Sequence, residues 1–167
     1  RSVVGIYSKG LLNNGSHMLD LLMLLLGPLG IVYVGRPSYD WFPNDPSIPV
    51  WLETESNIPI NISCGNANDY SFFEVQFVFD SGVLVMEDGG ISWRERKIIK
   101  SSTFEGYHNL DVGVFKEGAY KKSMTQALDN IWNVIVNGTE LMSDGSSALQ
   151  THALCEKISK MTQGQGL

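Results

Sequence analysis

Apolar residues first recur at helical spacing and then switch to the alternation that is typical of strands. Strong helix formers run from Leu11 to Leu26, and Gly27-Pro28 supplies the stop signal expected just after a helix. From Ile31 to Trp93, short runs of Val, Ile, Phe and Tyr are separated by Pro, Gly, Asn and Asp. The pattern predicts one long helix followed by a series of strands.

Two of these segments alternate between apolar and polar positions, one at residues 58–64 and the other at residues 73–79. Asp80-Ser81-Gly82 then leads into the apolar run Val83–Met86, which predicts a hairpin. We therefore expect an antiparallel sheet with one buried face.

The last third of the chain returns to helical patterns. Periodicity fades between Lys97 and Lys122, where we expect a long loop. From Ser123 apolar residues recur at helical spacing as far as Asn137-Gly138, and a last helix follows Ser143-Asp144-Gly145. The order of elements predicts an α+β domain, an open-faced and mainly antiparallel sheet with helices packed on one face.

Composition narrows the possible partners. The 167 residues suit a single domain, and 43% apolar with 18% charged residues is typical of a globular protein. The net charge of −6 comes without any cluster of Lys and Arg, which argues against nucleic acid and anionic membranes as partners. The leucine-rich stretch Met18–Val34 is interrupted by Asp20, Gly27-Pro28 and Gly30, so its pieces are shorter than the roughly 20 residues that span a bilayer.

The cysteines and the N-terminus suggest where the chain comes from. Cys64 and Cys155 lie far apart and have no metal-ligand spacing, so we expect two buried thiols and no metal site. No secretory signal peptide is recognisable, which favours the cytoplasm. The chain starts at Arg1 rather than Met and enters an alternating apolar segment at once, so we expect it to be a fragment of a longer polypeptide.

A thin polar stripe on the first helix is the strongest chemical signal. At about 100° per residue, Asn13, Ser16, His17 and Asp20 fall within one arc, while Leu and Met occupy most of the rest. One interpretation is structural: His17 is a satisfied core histidine, Asn13 or Asn14 caps the helix, and Asp20 binds backbone amides. The other is that the stripe faces a ligand pocket and that His17 carries a proton, since imidazole titrates near neutral pH.

Four segments, taken in order, resemble the C-terminal domain of the glucose-fructose oxidoreductase and inositol dehydrogenase family (Gfo/Idh/MocA). The first, KGLLNNGSHMLDLL, is similar to that family's glycine-rich lead and His-x-x-Asp continuation into a leucine-rich helix. The others resemble its strand-turn segment and its final two helices; the four segments are Lys9–Leu22, Phe77–Gly82, Ala127–Gly138 and Ser143–Leu149.

The resemblance implies a two-domain enzyme of which this chain is one half. Residues 1–167 would be the substrate-binding and oligomerisation domain, and an N-terminal Rossmann domain that binds NAD or NADP would be absent from the chain. No Gly-x-Gly-x-x-Gly motif occurs in the sequence, so we expect the chain alone to bind neither nucleotide and to be inactive.

The resemblance also suggests roles for three residues, and the composition of one loop adds two further candidates. His17 matches the family's catalytic histidine, whereas Asn13 stands where the family has an acidic partner and can orient an imidazole without adding charge. Lys9 lies just before the helix, where the family brings side chains to the cleft, and is a candidate sugar contact. Tyr107 and His108, in a Gly-containing loop, suit sugar stacking and hydrogen bonding.

Two functions follow from these assignments. The first is an oxidoreductase acting on a sugar or nucleotide-sugar hydroxyl, and the alternative is a non-catalytic sugar-sensing or regulatory protein with the same fold. A stand-alone structural or oligomerisation domain is a third class, which fits the chain by itself. We also expect a homodimer or homotetramer that pairs through the sheet, because the second face of residues 72–79 mixes apolar with polar side chains.

Overall fold

The computed structural model describes residues 1–163, which contain eleven strands and three α-helices. The strands are β1 Ser2–Tyr7, β2 Leu29–Val34, β3 Ser38–Phe42, β4 Asp45–Ser47, β5 Val50–Thr54, β6 Pro59–Cys64, β7 Phe73–Val78, β8 Gly82–Glu87, β9 Ser92–Lys100, β10 His108–Leu110 and β11 Val114–Glu117. The helices are α1 Ser16–Leu26, α2 Ser123–Asn137 and α3 Gly145–Gln163. A π-helical turn, Gly10–Gly15, leads directly into α1.

The main sheet has the strand order β10-β9-β8-β7-β1-β6-β5-β2, with β11 also paired to β9. All of its pairs are antiparallel except β1 with β6, where Val3 lies beside Ile60 in a parallel register. Strands β3 and β4 form a separate small sheet. This arrangement confirms the predicted α+β class and the β7–β8 hairpin.

The hydrophobic core lies between one face of the sheet and two helices. α1 contributes Met18, Leu19 and Leu22, and α3 contributes Cys155 and Ile158. The α1 helix approaches β1 closely, since a Cβ atom on Gly5 would lie only 2.7 Å from the sulfur of Met18. The leucine-rich segment is therefore a core helix, as its sequence predicts.

The structure corrects the expectation for the segment between Lys97 and Lys122. Much of it is strand, because β9 continues to Lys100 and both β10 and β11 pair with β9. The short strands carry few buried side chains, so they lack the apolar alternation by which a strand is recognised in a sequence.

Within residues 1–163 the outer face of the sheet carries no helix, and it is partly apolar. Cross-strand neighbours on this face form a continuous row from β2 to β11. The row consists of Tyr33, Trp51, Asn61, Val4, Gln76, Val85, Arg94 and Phe115. Its aromatic members are more than half exposed.

Helix α2 differs from α1 and α3 because none of its residues is buried. The expected packing of helices on one face of the sheet holds for α1 and α3, which contribute to the core, and α2 does not take part in it. Within residues 1–163 its apolar side chains face outward.

Candidate functional site

The π-helical turn before α1 is held by the small β3–β4 sheet. The Asp45 carboxylate accepts hydrogen bonds from the backbone N–H groups of Leu12 (2.7 Å) and Asn13 (3.1 Å). The Ser47 hydroxyl accepts one from the N–H of Gly10 at 3.0 Å. Gly10 has a φ of 85°, and a Cβ there would lie 2.2 Å from an Asp45 oxygen, so the turn requires glycine.

This turn changes which side chains accompany His17. A π-helix is wider than an α-helix, so residues four apart in it no longer stack. The expected arc of Asn13, Ser16 and His17 assumed α-helical spacing, whereas Asn13 lies in the π-helical turn and lines neither of the clefts at His17. No hydrogen bond joins the Asn13 and His17 side chains within residues 1–163, and it is Asn14 that lines a cleft together with His17.

His17 is exposed and lines two clefts. The first, which we call the front cleft, encloses about 520 Å³, within the about 300–1,000 Å³ range of small-molecule sites. Its polar groups combine an imidazole, an amide, hydroxyls and a carboxylate, and its apolar walls come from two side chains. The residues are Asn14, His17, Ser71, Asp88 and Tyr120, with Phe73 and Ile91 as apolar walls.

The front cleft lies where several elements end. His17 comes from the first turn of α1, while Phe73 begins β7 and Asp88 follows the end of β8. Asp88 has a φ of 49°, in the left-handed region that few residues with a side chain adopt, and it starts the 3₁₀ turn Asp88–Gly90. Sequence reasoning missed these groups because they lie far apart along the chain.

The rear cleft, about 340 Å³, lies on the other side of His17 between α1 and α3. The Thr151 hydroxyl donates a 2.9 Å hydrogen bond to Asp20, which ties the two helices together. Cys155 is buried at this cleft, and burial, with the negative charge of Asp45, raises the pKa of its thiol to about 11. The polar stripe on α1 therefore serves two purposes, since Asp20 joins the helices while His17 faces open space.

Three other predicted contacts lie outside these clefts. The Lys9 ammonium lies 5.5 Å from the centre of the Trp41 ring, and Lys9 lines neither cleft. His108 pairs with Lys100 at the far end of β9, and Tyr107 packs against Phe104. Because β9 is nine residues long, its two ends are roughly 26 Å apart at about 3.3 Å per residue. Within one protomer, Tyr107 and His108 therefore lie away from the clefts at His17.

The clefts carry acid–base groups but no evident ion site. In the part of the chain that the structure describes, no three His, Cys, Asp or Glu side chains are grouped as a metal would require. No described helix is long and apolar enough to cross a bilayer. The front cleft is thus equipped to hydrogen-bond several hydroxyls of one ligand and to move a proton at His17.

Comparison with known proteins gives matches among solved structures alone. No family model matches the chain, and no curated protein matches its sequence. A dehydrogenase (MviM) from Clostridium difficile is 14% identical, with a TM-score of 0.69 over 96% of this chain and 54% of its own. UDP-N-acetylglucosamine 3-dehydrogenase GnnA from Acidithiobacillus ferrooxidans is 13% identical, with a TM-score of 0.63 over 94% and 53%.

A third similar structure is KijD10, a 3-ketoreductase from Actinomadura kijaniata in complex with NADP. It is 13% identical, with a TM-score of 0.63 over 96% of this chain and 51% of its own. This chain spans about half the length of each of these proteins. At such low identity the likeness establishes the fold alone: the chain has the same open-faced α+β fold as about half of each of these proteins.

Proposed function

We propose that this chain is the substrate-binding domain of an NAD(P)-dependent oxidoreductase that acts on a hydroxyl of a sugar or nucleotide sugar. The observation that carries the proposal is the front cleft, in which an exposed histidine meets several hydrogen-bonding side chains. The solved structures that share the fold include a nucleotide-sugar dehydrogenase and a 3-ketoreductase.

In this proposal His17 moves the proton at the reacting sugar hydroxyl. Oxidation of an alcohol to a ketone requires a base for the hydroxyl proton, and imidazole suits that role near neutral pH. Asn14, Asp88 and Tyr120 surround the same space and hold neighbouring hydroxyls by hydrogen bonds. Phe73 and Ile91 give the apolar faces of a sugar ring a surface to contact.

The nicotinamide nucleotide supplies the hydride chemistry and is held elsewhere. The described residues do not fit its phosphates, because the turn after β1 is the crowded π-helical turn at Gly10 and no Gly-x-Gly-x-x-Gly follows any strand. We therefore assign nucleotide binding to a separate Rossmann domain of the full protein.

The two cysteines are free thiols in the structure, which is compatible with a cytoplasmic protein.

A second candidate is a sugar sensor without turnover. It is favoured by the surroundings of His17, since no carboxylate within residues 1–163 is hydrogen-bonded to the imidazole. A sensor and an enzyme would share the front cleft and differ in whether bound sugar is oxidised.

The proposal is tested by following the absorbance of the nicotinamide nucleotide while the full protein is incubated with a panel of sugars and nucleotide sugars. We expect turnover with NAD or NADP, and a fall on the order of 10² to 10⁴ in kcat for His17→Ala. Asn13→Ala is the matched control, because Asn13 lines neither of the clefts that His17 lines. Sugar binding without turnover would favour the sensor, and unchanged kcat in His17→Ala would remove His17 from the mechanism.

The same proposal includes self-association through the outer face of the sheet. The row from Tyr33 to Phe115 is half apolar and crosses the sheet, so two copies related by a two-fold axis can bury it. Light scattering across a dilution series should give twice the 18.5 kDa chain mass or more. Trp51→Glu, at an exposed position in the row, should lower that mass to the monomer value.

A further inference from the structure

The rear cleft is the second cleft that His17 lines, and the proposed function leaves it without a role. It encloses about 340 Å³ between the N-terminal parts of α1 and α3. A second histidine, His152 of α3, lines it together with His17, and both side chains are exposed. The rear cleft therefore brings together two imidazoles from distant parts of the chain. The other polar side chains that line it are Ser16, Asp20, Ser143, Thr151 and Cys155.

These other polar side chains are already engaged or keep their protons. The Ser16 hydroxyl donates to a backbone carbonyl of the preceding turn, and the Thr151 hydroxyl donates to Asp20. The Ser143 hydroxyl shares a hydrogen bond with a hydroxyl of α3. The Cys155 thiol stays protonated near neutral pH, because burial raises its pKa to about 11.

The two histidines are the groups left free to exchange protons with the rear cleft. Within residues 1–163 neither side chain has a hydrogen bond or an ion pair. On α3 the charged residue nearest in sequence to His152 is Glu156, which forms an ion pair with Lys160 at 3.1 Å. Imidazole is the side chain that both accepts and donates a proton near neutral pH.

The packing of α1 against α3 limits the distance between the two imidazoles. The 2.9 Å hydrogen bond between Asp20 and Thr151 joins the helices at one level. His17 lies three residues, about 4.5 Å, before Asp20. His152 lies one residue, about 1.5 Å, after Thr151. Their offset along the helix axes is therefore about 3–6 Å for either relative direction of the helices, and packed axes lie about 8–10 Å apart, so a direct contact or one bridging water can join the rings.

The proposed reaction leaves a proton on His17 that has to be released. As the hydride leaves the sugar carbon for the nicotinamide, the hydroxyl proton moves to the imidazole, and the electron pair of the O–H bond becomes part of the new C=O bond. A sugar in the front cleft covers the side of the imidazole that took up this proton. The ring has a second nitrogen, and the rear cleft is the other space that His17 lines. The rear cleft thus offers the proton a route to solvent while the sugar is bound.

We propose that His152 relays this proton: it receives the proton from His17 through the rear cleft and passes it to solvent. The relay returns His17 to its neutral form before the next turnover. This inference rests on the proposed function, because a binding protein without turnover has no proton to relay. His152 acts through His17 and does not line the front cleft, so it affects kcat and leaves the KM for the sugar unchanged.

Steady-state kinetics of the full protein, with imidazole added to the buffer, test the relay. His152→Gln keeps a polar side chain but cannot carry the proton, so kcat should fall about tenfold or more while KM is unchanged. In His152→Ala, added imidazole should enter the space left by the side chain and restore most of the lost kcat. The unmutated protein should not respond to imidazole. Ala153→Gln places the same side chain at the next, exposed position of α3, outside both clefts, and should keep the kcat of the unmutated protein.

Two results would overturn the relay and leave the proposed function in place. One is an unchanged kcat in His152→Gln, and the other is a loss of kcat in His152→Ala that imidazole does not restore, which would give His152 a structural role. His17→Ala separates the two proposals, because an unchanged kcat there would remove His17 from the mechanism and the relay with it. A full protein that oxidises no sugar would favour the sensor and would overturn the relay as well.

Discussion

The hydrogen bonds from Asp45 to the π-helical turn predict a measurable loss of stability when the carboxylate is removed. In Asp45→Ala the N–H groups of Leu12 and Asn13 lose acceptors at 2.7 and 3.1 Å. Because these N–H groups are exposed, water compensates for part of each lost hydrogen bond. The expected loss of stability is therefore similar to that for removal of a helix cap. We expect the free energy of unfolding to fall by about 1–2 kcal/mol.

Urea unfolding followed by tryptophan fluorescence measures this change. Asp45→Asn retains one acceptor oxygen and should lose about half as much as Asp45→Ala. Asp69→Ala is the control, since that carboxylate is exposed and has no hydrogen bond or ion pair to the rest of residues 1–163. A change within about 0.5 kcal/mol for Asp45→Ala, as in ordinary surface substitutions, would refute the assigned role.

Three further measurements follow from the structure. Burial, with the nearby carboxylates of Glu87 and Asp88, raises the pKa of Glu74. The folded state therefore favours the protonated form of Glu74, and the stability that this form contributes is lost as pH rises. Glu74→Gln should raise the free energy of unfolding at pH 7, and this gain should vanish below about pH 4. Urea unfolding measured across pH checks both expectations. Iodoacetamide should not label Cys155 in the folded protein at pH 8, because the thiol is buried with a pKa of about 11; rapid labelling would contradict its burial. Calorimetric titration of the 167-residue chain with NAD and NADP should show no binding, and micromolar affinity would place a nucleotide site in this chain.

Most of the fold follows from the sequence because periodicity reports burial. The alternating segments form β6 and β7, as predicted. The predicted end of α1 lies at Gly27, whose N–H donates a 2.9 Å hydrogen bond to the Met23 carbonyl. The π-helical turn was missed because its conformation depends on Asp45 and Ser47, which are distant in sequence. The exposed side of α2 was missed because an amphipathic pattern predicts a covered face without naming what covers it.

The candidate site was less predictable than the fold. His17 stands out from its leucine-rich helix, and the structure places it at two clefts. Asp88 carries a weak signal in the Asp-Gly-Gly turn, whereas Tyr120 has none that distinguishes it from other loop aromatics. Tyr107 looked suitable by composition, but β9 carries it away from His17, and only the strand register reveals that separation.

The central claim is that the front cleft around His17 binds the sugar. The most direct test is NMR chemical-shift mapping of the isotope-labelled 167-residue chain during titration with sugars and nucleotide sugars. A bound ligand should shift the resonances of Asn14, His17, Asp88 and Tyr120 together. Shifts confined to Tyr107 and His108 would contradict this claim. So would a sugar that the full protein oxidises but that shifts no front-cleft resonance when it is titrated into the 167-residue chain.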